Sequence, residues 1–189
     1  MSNIFLCSDH HFGQKNMLTF KKNDGTPLRV FDDVEHMNQY MVMQHNRVVR
    51  PNDKVYFIGD VGLGKSSTGF DILRQMNGEK ILIKGNHDIA TAATYLEHFK
   101  DIRGSHALDG MLLTHIPIHP ESLARWRINV HGHLHANRVR LENGNIDERY
   151  QCVCMEQLDD YMPVALEVIK TRIKNLNLPE LPKRDIIIA

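Results

Sequence analysis

Short apolar runs recur along the chain, and each closes in a polar cluster. Ile4-Phe5-Leu6-Cys7, Val55-Tyr56-Phe57-Ile58, Ile81-Leu82-Ile83, Met111-Leu112-Leu113 and Ile128-Asn129-Val130 predict strands. Continuous rather than alternating apolar character suits strands covered on both faces. Helical patterns lie between them. Asp32 to Val48 opens on Asp32-Asp33 as a capping pair and carries Val34, Met37, Met41 and His45 at helical spacing. Phe70 to Met76, closed by Asn77-Gly78, predicts a second helix. Ala90 to His98, Glu121 to Trp126 after Pro120, and Pro163 to Asn175 predict three more. Strands alternating with helices define an α/β layered domain. Arg138 to Cys154 is expected to form a hairpin around Glu142-Asn143-Gly144-Asn145, because Asn-Gly is a strong turn signal.

The pattern gives one domain over residues 1–176 and a tail over 177–189. Pro179 and Pro182 predict an extended tail, and Ile186-Ile187-Ile188 is apolar enough to dock on the core or on a partner. At 189 residues the chain is long enough to bury a real core as one domain. Lys and Arg total 23 and so do Asp and Glu. The zero net charge argues against a strongly basic nucleic-acid coat and against an acidic disordered chain. The apolar runs are far shorter than the ~20 residues of a membrane span. Met1 to Leu6 has no basic region and no signal-like apolar stretch, so a cytoplasmic protein without a membrane partner is expected. Three cysteines, Cys7, Cys152 and Cys154, are too few and too odd in number for a disulfide framework. Cys152-Val153-Cys154 places both sulfurs on one strand face and is read as two ordinary buried cysteines.

Histidine changes the picture. Of 12, eight (His10, His11, His87, His115, His119, His131, His133 and His135) fall in four short segments. The predicted strands end in Ser8-Asp9-His10-His11, Gly59-Asp60, Lys84-Gly85-Asn86-His87-Asp88, Thr114-His115 and His131-Gly132-His133-Leu134-His135. In open α/β sheets the ligand site lies beyond the carboxyl ends of the strands, so the five clusters converge. The glycines before Asp60, Asn86 and His133 allow tight turns. Converging Asp, Asn and His make a metal site with more ligands than one ion needs, which suggests two ions sharing Asp60. Such a pair can generate a hydroxide nucleophile and clamp the oxygens of a displacement at phosphorus. The leaving oxygen then needs a proton, and His87 with Asp88 offers a His–Asp pair. Ligands without cysteine suit Mn²⁺, Fe, Zn²⁺ or Ni²⁺, with Mn²⁺ placed first. His10 and His131 alternate away from the ligands and are read as supporting or core residues. Asn16 and Arg29 are candidate phosphate contacts, and His119 is a candidate cleft residue.

One competing motif overlaps the site. Gly59-Asp60-Val61-Gly62-Leu63-Gly64-Lys65-Ser66 fits the phosphate-cradling G-x-x-x-x-G-K-S loop of a nucleotide-binding protein. That reading leaves Asn86-His87-Asp88 and His133-Leu134-His135 unexplained, and the segment is read instead as a loop near the site.

The five blocks in this order, Asp9-His10-His11, Gly59-Asp60-Val61-Gly62, Gly85-Asn86-His87-Asp88, His115 and Gly132-His133-Leu134-His135, resemble the calcineurin-like metallophosphoesterase superfamily. Ser8-Asp9-His10-His11-Phe12-Gly13 and Asp32-Asp33-Val34-Glu35-His36-Met37-Asn38 resemble its small bacterial and phage phosphoesterases. The chain departs from that group at Gln14, where many members carry His, and at Arg29-Val30-Phe31, where they carry Arg-Pro-Phe. The resemblance implies a four-layer α-β-β-α sandwich with the metal site at the carboxyl ends of the strands. It implies one metal on Asp9, His11, Asp60 and His135, and a second on Asp60, Asn86, His115 and His133. His87 would be general acid or transition-state stabiliser, with Asp88 orienting it. The expected activity is that of a phosphodiesterase on a small nucleotide-like or otherwise phosphorylated substrate. Zero net charge leaves little room for the basic groove of a long nucleic acid. A non-catalytic binding module of the same fold is the alternative, and oligomeric state stays open.

Overall fold

The apolar runs do become strands in the computed structural model, which describes residues 2–62 and 67–176. The first sheet contains β1 (Ile4–Cys7), β2 (Lys54–Phe57), β3 (Glu79–Ile83), β4 (Asp101–Arg103) and β9 (Val164–Ala165), in the order β4-β3-β2-β1-β9. β1 to β4 run parallel, and β9 closes the edge antiparallel to β1. The second sheet contains β5 (Ser105–Leu108), β6 (Met111–Thr114), β7 (Ile128–His131) and β8 (Tyr150–Cys152) in chain order. Here β5 is antiparallel to β6, and β6, β7 and β8 are parallel.

Alternate residues of the first sheet serve two different cores. Phe5, Cys7, Val55, Phe57 and Leu82 pack with Met37, Met41 and Val42 of α1 (Val34–Val48), Ile72 and Leu73 of α2 (Ser67–Arg74) and Tyr95 of α3 (Ala92–Leu96). Leu6, Tyr56, Ile58, Ile81 and Ile83 pack against Met111, Leu113, Ile128 and Val130 of the second sheet, together with Leu166 and Ile169 of α4 (Leu166–Lys174). Burial on both faces explains why the inner stretches of β1, β2 and β3 are apolar at successive rather than alternate positions. The protein is therefore a mixed α/β fold of two sheets sharing a core. Among the described residues no helix is long and apolar enough to cross a membrane.

Several expectations need correction. Arg138 to Cys154 is not one hairpin. A single antiparallel bridge, Arg140 to Ile146, flanks the Asn-Gly turn, and β8 then pairs parallel with β7. Pro120–Arg125 is a 3-10 segment capped by His119, not an α-helix. The last helix starts only at Leu166, because Val164 and Ala165 are held extended on β1. As its helical spacing predicts, His45 lies with Met37 and Met41 on the buried face of α1, where its Nε2 is 2.9 Å from the Asn77 carbonyl oxygen. His106 lies on β5, stacked on Tyr56. The tail over 177–189, and Leu63 to Ser66 of the competing motif, lie outside the described residues.

Buried imidazoles set an acid limit on this fold. Burial pulls His45 and His131 down to about 4 each, against weaker support from the carbonyls of Asn77 and Gly132. In the unfolded chain both titrate near the ordinary 6.5. The stability is whole above that pH and is lost as pH falls from about 6.5 to 4, by up to about 3 kcal/mol for each group. The melting temperature of metal-free protein should fall across that window. His45→Gln, whose amide can still reach the Asn77 carbonyl, should make the fall shallower; an identical slope would contradict a neutral buried His45.

Candidate metal centre

The strand ends are bent sharply to form the site. Asp9, His11, Asp60, His133 and His135 all hold left-handed backbone, with φ of 59°, 53°, 53°, 69° and 51°. That region is uncommon for residues with a side chain and costs roughly 1–3 kcal/mol each. Hydrogen bonds between strand ends hold the turns: Asp9 N to Gly59 O at 3.0 Å, His11 N to Asp60 O at 3.1 Å and Gly132 N to His115 O at 2.9 Å. Two glycines let the loops close. A Cβ at Gly59 (φ +85°) would lie 2.5 Å from His115 Nδ1, and one at Gly132 would overlap the Ser8 hydroxyl and the Asp9 carboxylate.

Two triads result, Asp9 with His11 and His135, and Asp60 with His115 and His133; within each, the ligand atoms lie within 4.8 Å of one another. In the first, Asp9 Oδ1 is 3.7 Å from both His11 Nε2 and His135 Nε2. In the second, Asp60 Oδ2 is 3.2 Å from His115 Nε2, and it also lies 3.9 Å from His11 Nε2. Asp60 thus stands between the triads. Asn86 Oδ1 reaches His115 Nε2 at 3.0 Å, and the His133 ring lies 5.2 Å from the His115 ring.

Surrounding groups aim these ligands. Gln14 Oε1 lies 2.8 Å from His11 Nδ1, the Ile58 carbonyl 2.8 Å from His115 Nδ1, and both Glu156 oxygens 3.2 Å from His135 Nδ1. With a proton on each Nδ1, all three Nε2 lone pairs face inward, as metal binding requires. Asp9 Oδ2 accepts from His133 N at 2.9 Å and from the Cys154 thiol at 3.2 Å, and lies 2.5 Å from Ser8 Oγ. Asp9 Oδ1 and His11 Nε2 are buried without a hydrogen-bond partner. Leaving such atoms unpaired is costly unless something else satisfies them. This set of oxygen and imidazole donors is compatible with two divalent ions, one at each triad.

The charge balance agrees. Burial opposes the His115 imidazolium, yet the Asp60 and Asp9 carboxylates raise it to about 9. Burial likewise opposes ionisation of Asp9, but His11, His115, His135 and Ser8 hold its carboxyl well below the usual range. Burial opposes protonation of His135, and Glu156 reverses that effect. The carboxylates that draw a proton to His115 would equally favour a cation at the same place.

The remaining candidates divide. His87 is exposed at the rim, its ring 5.5 Å from that of His11, and its backbone N donates to Asp60 Oδ1 at 2.8 Å. Asp88 does not orient it. The Asp88 carboxylate is buried and accepts the backbone N–H groups of Asp60, Gly85 and Val61 at 2.9, 2.8 and 3.1 Å. Neighbours in sequence here point opposite ways. Arg29 is no phosphate contact: it is buried and bonded to Glu156 and to the carbonyls of Asp9 and His10. Asn16 is exposed in a 3-10 turn at Lys15–Leu18. His119 is exposed, its Nδ1 accepting from Glu121 N at 3.4 Å. His10 packs between Phe12 and Phe57, and His131 is buried. All three cysteines are free and buried, but Cys154 touches Asp9 and so is more than apolar filler. Glu156 had no sequence signal, being an isolated acid outside every cluster.

No protein-family model matches the chain. The uncharacterized protein MJ1445 of Methanocaldococcus jannaschii is 32% identical over 172 residues, covering 89% of this chain and 90% of that protein. Among solved structures, a protein of unknown function from Aquifex aeolicus, AQ665, superposes with TM-score 0.66 at 21% identity, over 90% of this chain and 99% of that one. A phosphopantetheinyl hydrolase from Mycobacterium tuberculosis stands further off, with TM-score 0.47 and 12% identity over 86% of this chain and 95% of that one.

The tight packing at Gly132 is testable. Gly132→Ala forces a methyl group into Ser8 and Asp9, which should cost about 1–3 kcal/mol and weaken metal uptake. Thermal melts in EDTA and metal titration would show both; wild-type values in both would contradict this geometry.

Proposed function

We propose that this chain, which belongs to the same family as MJ1445 of Methanocaldococcus jannaschii, is a metal-dependent phosphoesterase of the calcineurin-like type. One observation carries the proposal: two Asp–His–His triads face each other across Asp60, with buried ligand atoms left unpartnered. The finer architecture in this proposal is a four-layer α-β-β-α sandwich; the two sheets sharing a core and the helices on one face of the first support it.

Two divalent ions, Mn²⁺ first among candidates, would supply a hydroxide nucleophile at neutral pH and charge neutralisation at a phosphoryl group. Asp9, His11, Asp60 and His135 would hold one, and Asp60, Asn86, His115 and His133 the other. The residues of the chain do the rest. Asp60 Oδ1 is tied to the His87 backbone, which leaves Oδ2 facing both groups. Asp88 fixes the loop that carries Asn86 and His87 by binding its backbone and that of Asp60 and Val61. His87, on the exposed side, delivers a proton to the leaving oxygen. A phosphodiester of a small nucleotide-like or otherwise phosphorylated molecule suits an open rim on a chain with no net charge. A cytoplasmic setting belongs to the same proposal.

Protein stripped with EDTA should regain cleavage of a bis-nitrophenyl phosphate diester on adding Mn²⁺, in preference to its monoester and ATP. Asp60→Asn and His87→Ala should each lower kcat by about 10²–10⁴-fold while the melting temperature holds. No turnover of any of these substrates with two ions bound would favour a binding module. Undiminished turnover in both variants would refute the assignment.

A further inference from the structure

We infer that Arg29 and Glu156 form a buried positioning relay that serves the first triad and leaves the second untouched. This rests on the two-metal reading above. The ion pair joins residues 127 apart at 2.7 Å, with side chains 0% and 2% exposed. Arg29 Nε binds Glu156. Its Nη1 donates to the His10 carbonyl at 2.7 Å, and its Nη2 donates to the Asp9 carbonyl. One planar cation therefore braces the left-handed turn that aims Asp9 and His11. Glu156, on the other side of the pair, receives His135 Nδ1. The three ligands of the first triad come from two separate loops, after β1 and after β7, and this pair ties both loops together.

Chemistry explains why the relay uses these two residues. A carboxylate on Nδ1 fixes the imidazole tautomer and strengthens Nε2 as a ligand. Arg29 Nε holds Glu156 Oε1 at 2.7 Å, which fixes the carboxylate where both its oxygens lie 3.2 Å from His135 Nδ1. Lysine concentrates its donors on one nitrogen and lacks the planar fork whose three spaced nitrogens reach these three partners. The second triad is supported differently: His115 leans on the Ile58 carbonyl, and Asp60 on the His87 backbone. Disabling the relay should therefore affect one ion and not the other.

Metal-stripped full-length protein is titrated with Mn²⁺ and followed by calorimetry and electron paramagnetic resonance. Wild type should take up two equivalents and show a spin-coupled pair. Glu156→Gln should weaken one equivalent by about 10–100-fold, leave the other within about twofold, and replace the coupled spectrum with that of isolated Mn²⁺ at matched concentration. Arg29→Lys should do the same. Glu156→Asp keeps the charge but draws the carboxylate back from His135; it should show the selective loss even if the other variants fold poorly. Two equivalents at wild-type affinity, or both weakened alike, would overturn the relay. Wild type that fails to bind two equivalents would instead overturn the two-metal reading.

Discussion

Two carboxylates, Asp9 and Asp60, are buried a few ångströms from a ring of imidazoles, and much of the molecule exists to hold them there. Burying charge is expensive without compensation. Here the compensation is only partial: one backbone N–H, a hydroxyl and a thiol satisfy one side of the Asp9 carboxylate, and its other oxygen has no donor. His115 is drawn toward protonation for the same reason. Asp9 Oδ1 and Asp60 Oδ2 both face the imidazole nitrogens of the triads, an arrangement compatible with divalent cations.

The fold supplies the rigidity this arrangement needs. Five strand ends, three from the first sheet and two from the second, deliver the candidate ligands. Those after β1, β2 and β7 turn into left-handed backbone at Asp9, Asp60 and His133, which persists only where surrounding contacts over-determine it. The bridge between Ser8 and Cys154 joins the two sheets at this end, and the hydrogen bond from Gly132 to His115 extends the β6–β7 pairing past the strands. Asp88, binding three backbone N–H groups of two different loops, does for the β2 and β3 ends what Arg29 does for the β1 and β8 ends. Side chains outside the ligand set thus carry much of the geometry.

What could be read from the sequence follows physical lines. β1, β2, β3, β6 and β7 were legible because burial on both faces leaves an uninterrupted apolar run. β4, β5 and β9 were not: Asp101-Ile102-Arg103 and Ser105-His106-Ala107-Leu108 are half-exposed, and Val164-Ala165 is only two residues. The ligands declared themselves by clustering at strand ends. Their supports did not, because support is a matter of direction rather than adjacency. Asp88 sits beside His87 in sequence, yet it points inward to backbone amides. Arg29 looked like a free cation near a phosphate site, but its partner lies 127 residues away. Glu156 is invisible without the fold that brings it to His135.

In the proposed site one carboxylate, Asp60, would bridge two ions. Crystals grown with Mn²⁺ and measured at the manganese absorption edge test it most directly. Two anomalous peaks about 3.5–4 Å apart are expected, with Asp60 between them, Asp9, His11 and His135 around one, and Asn86, His115 and His133 around the other. A single peak at saturating metal, or a pair not bridged by Asp60, would contradict the proposal.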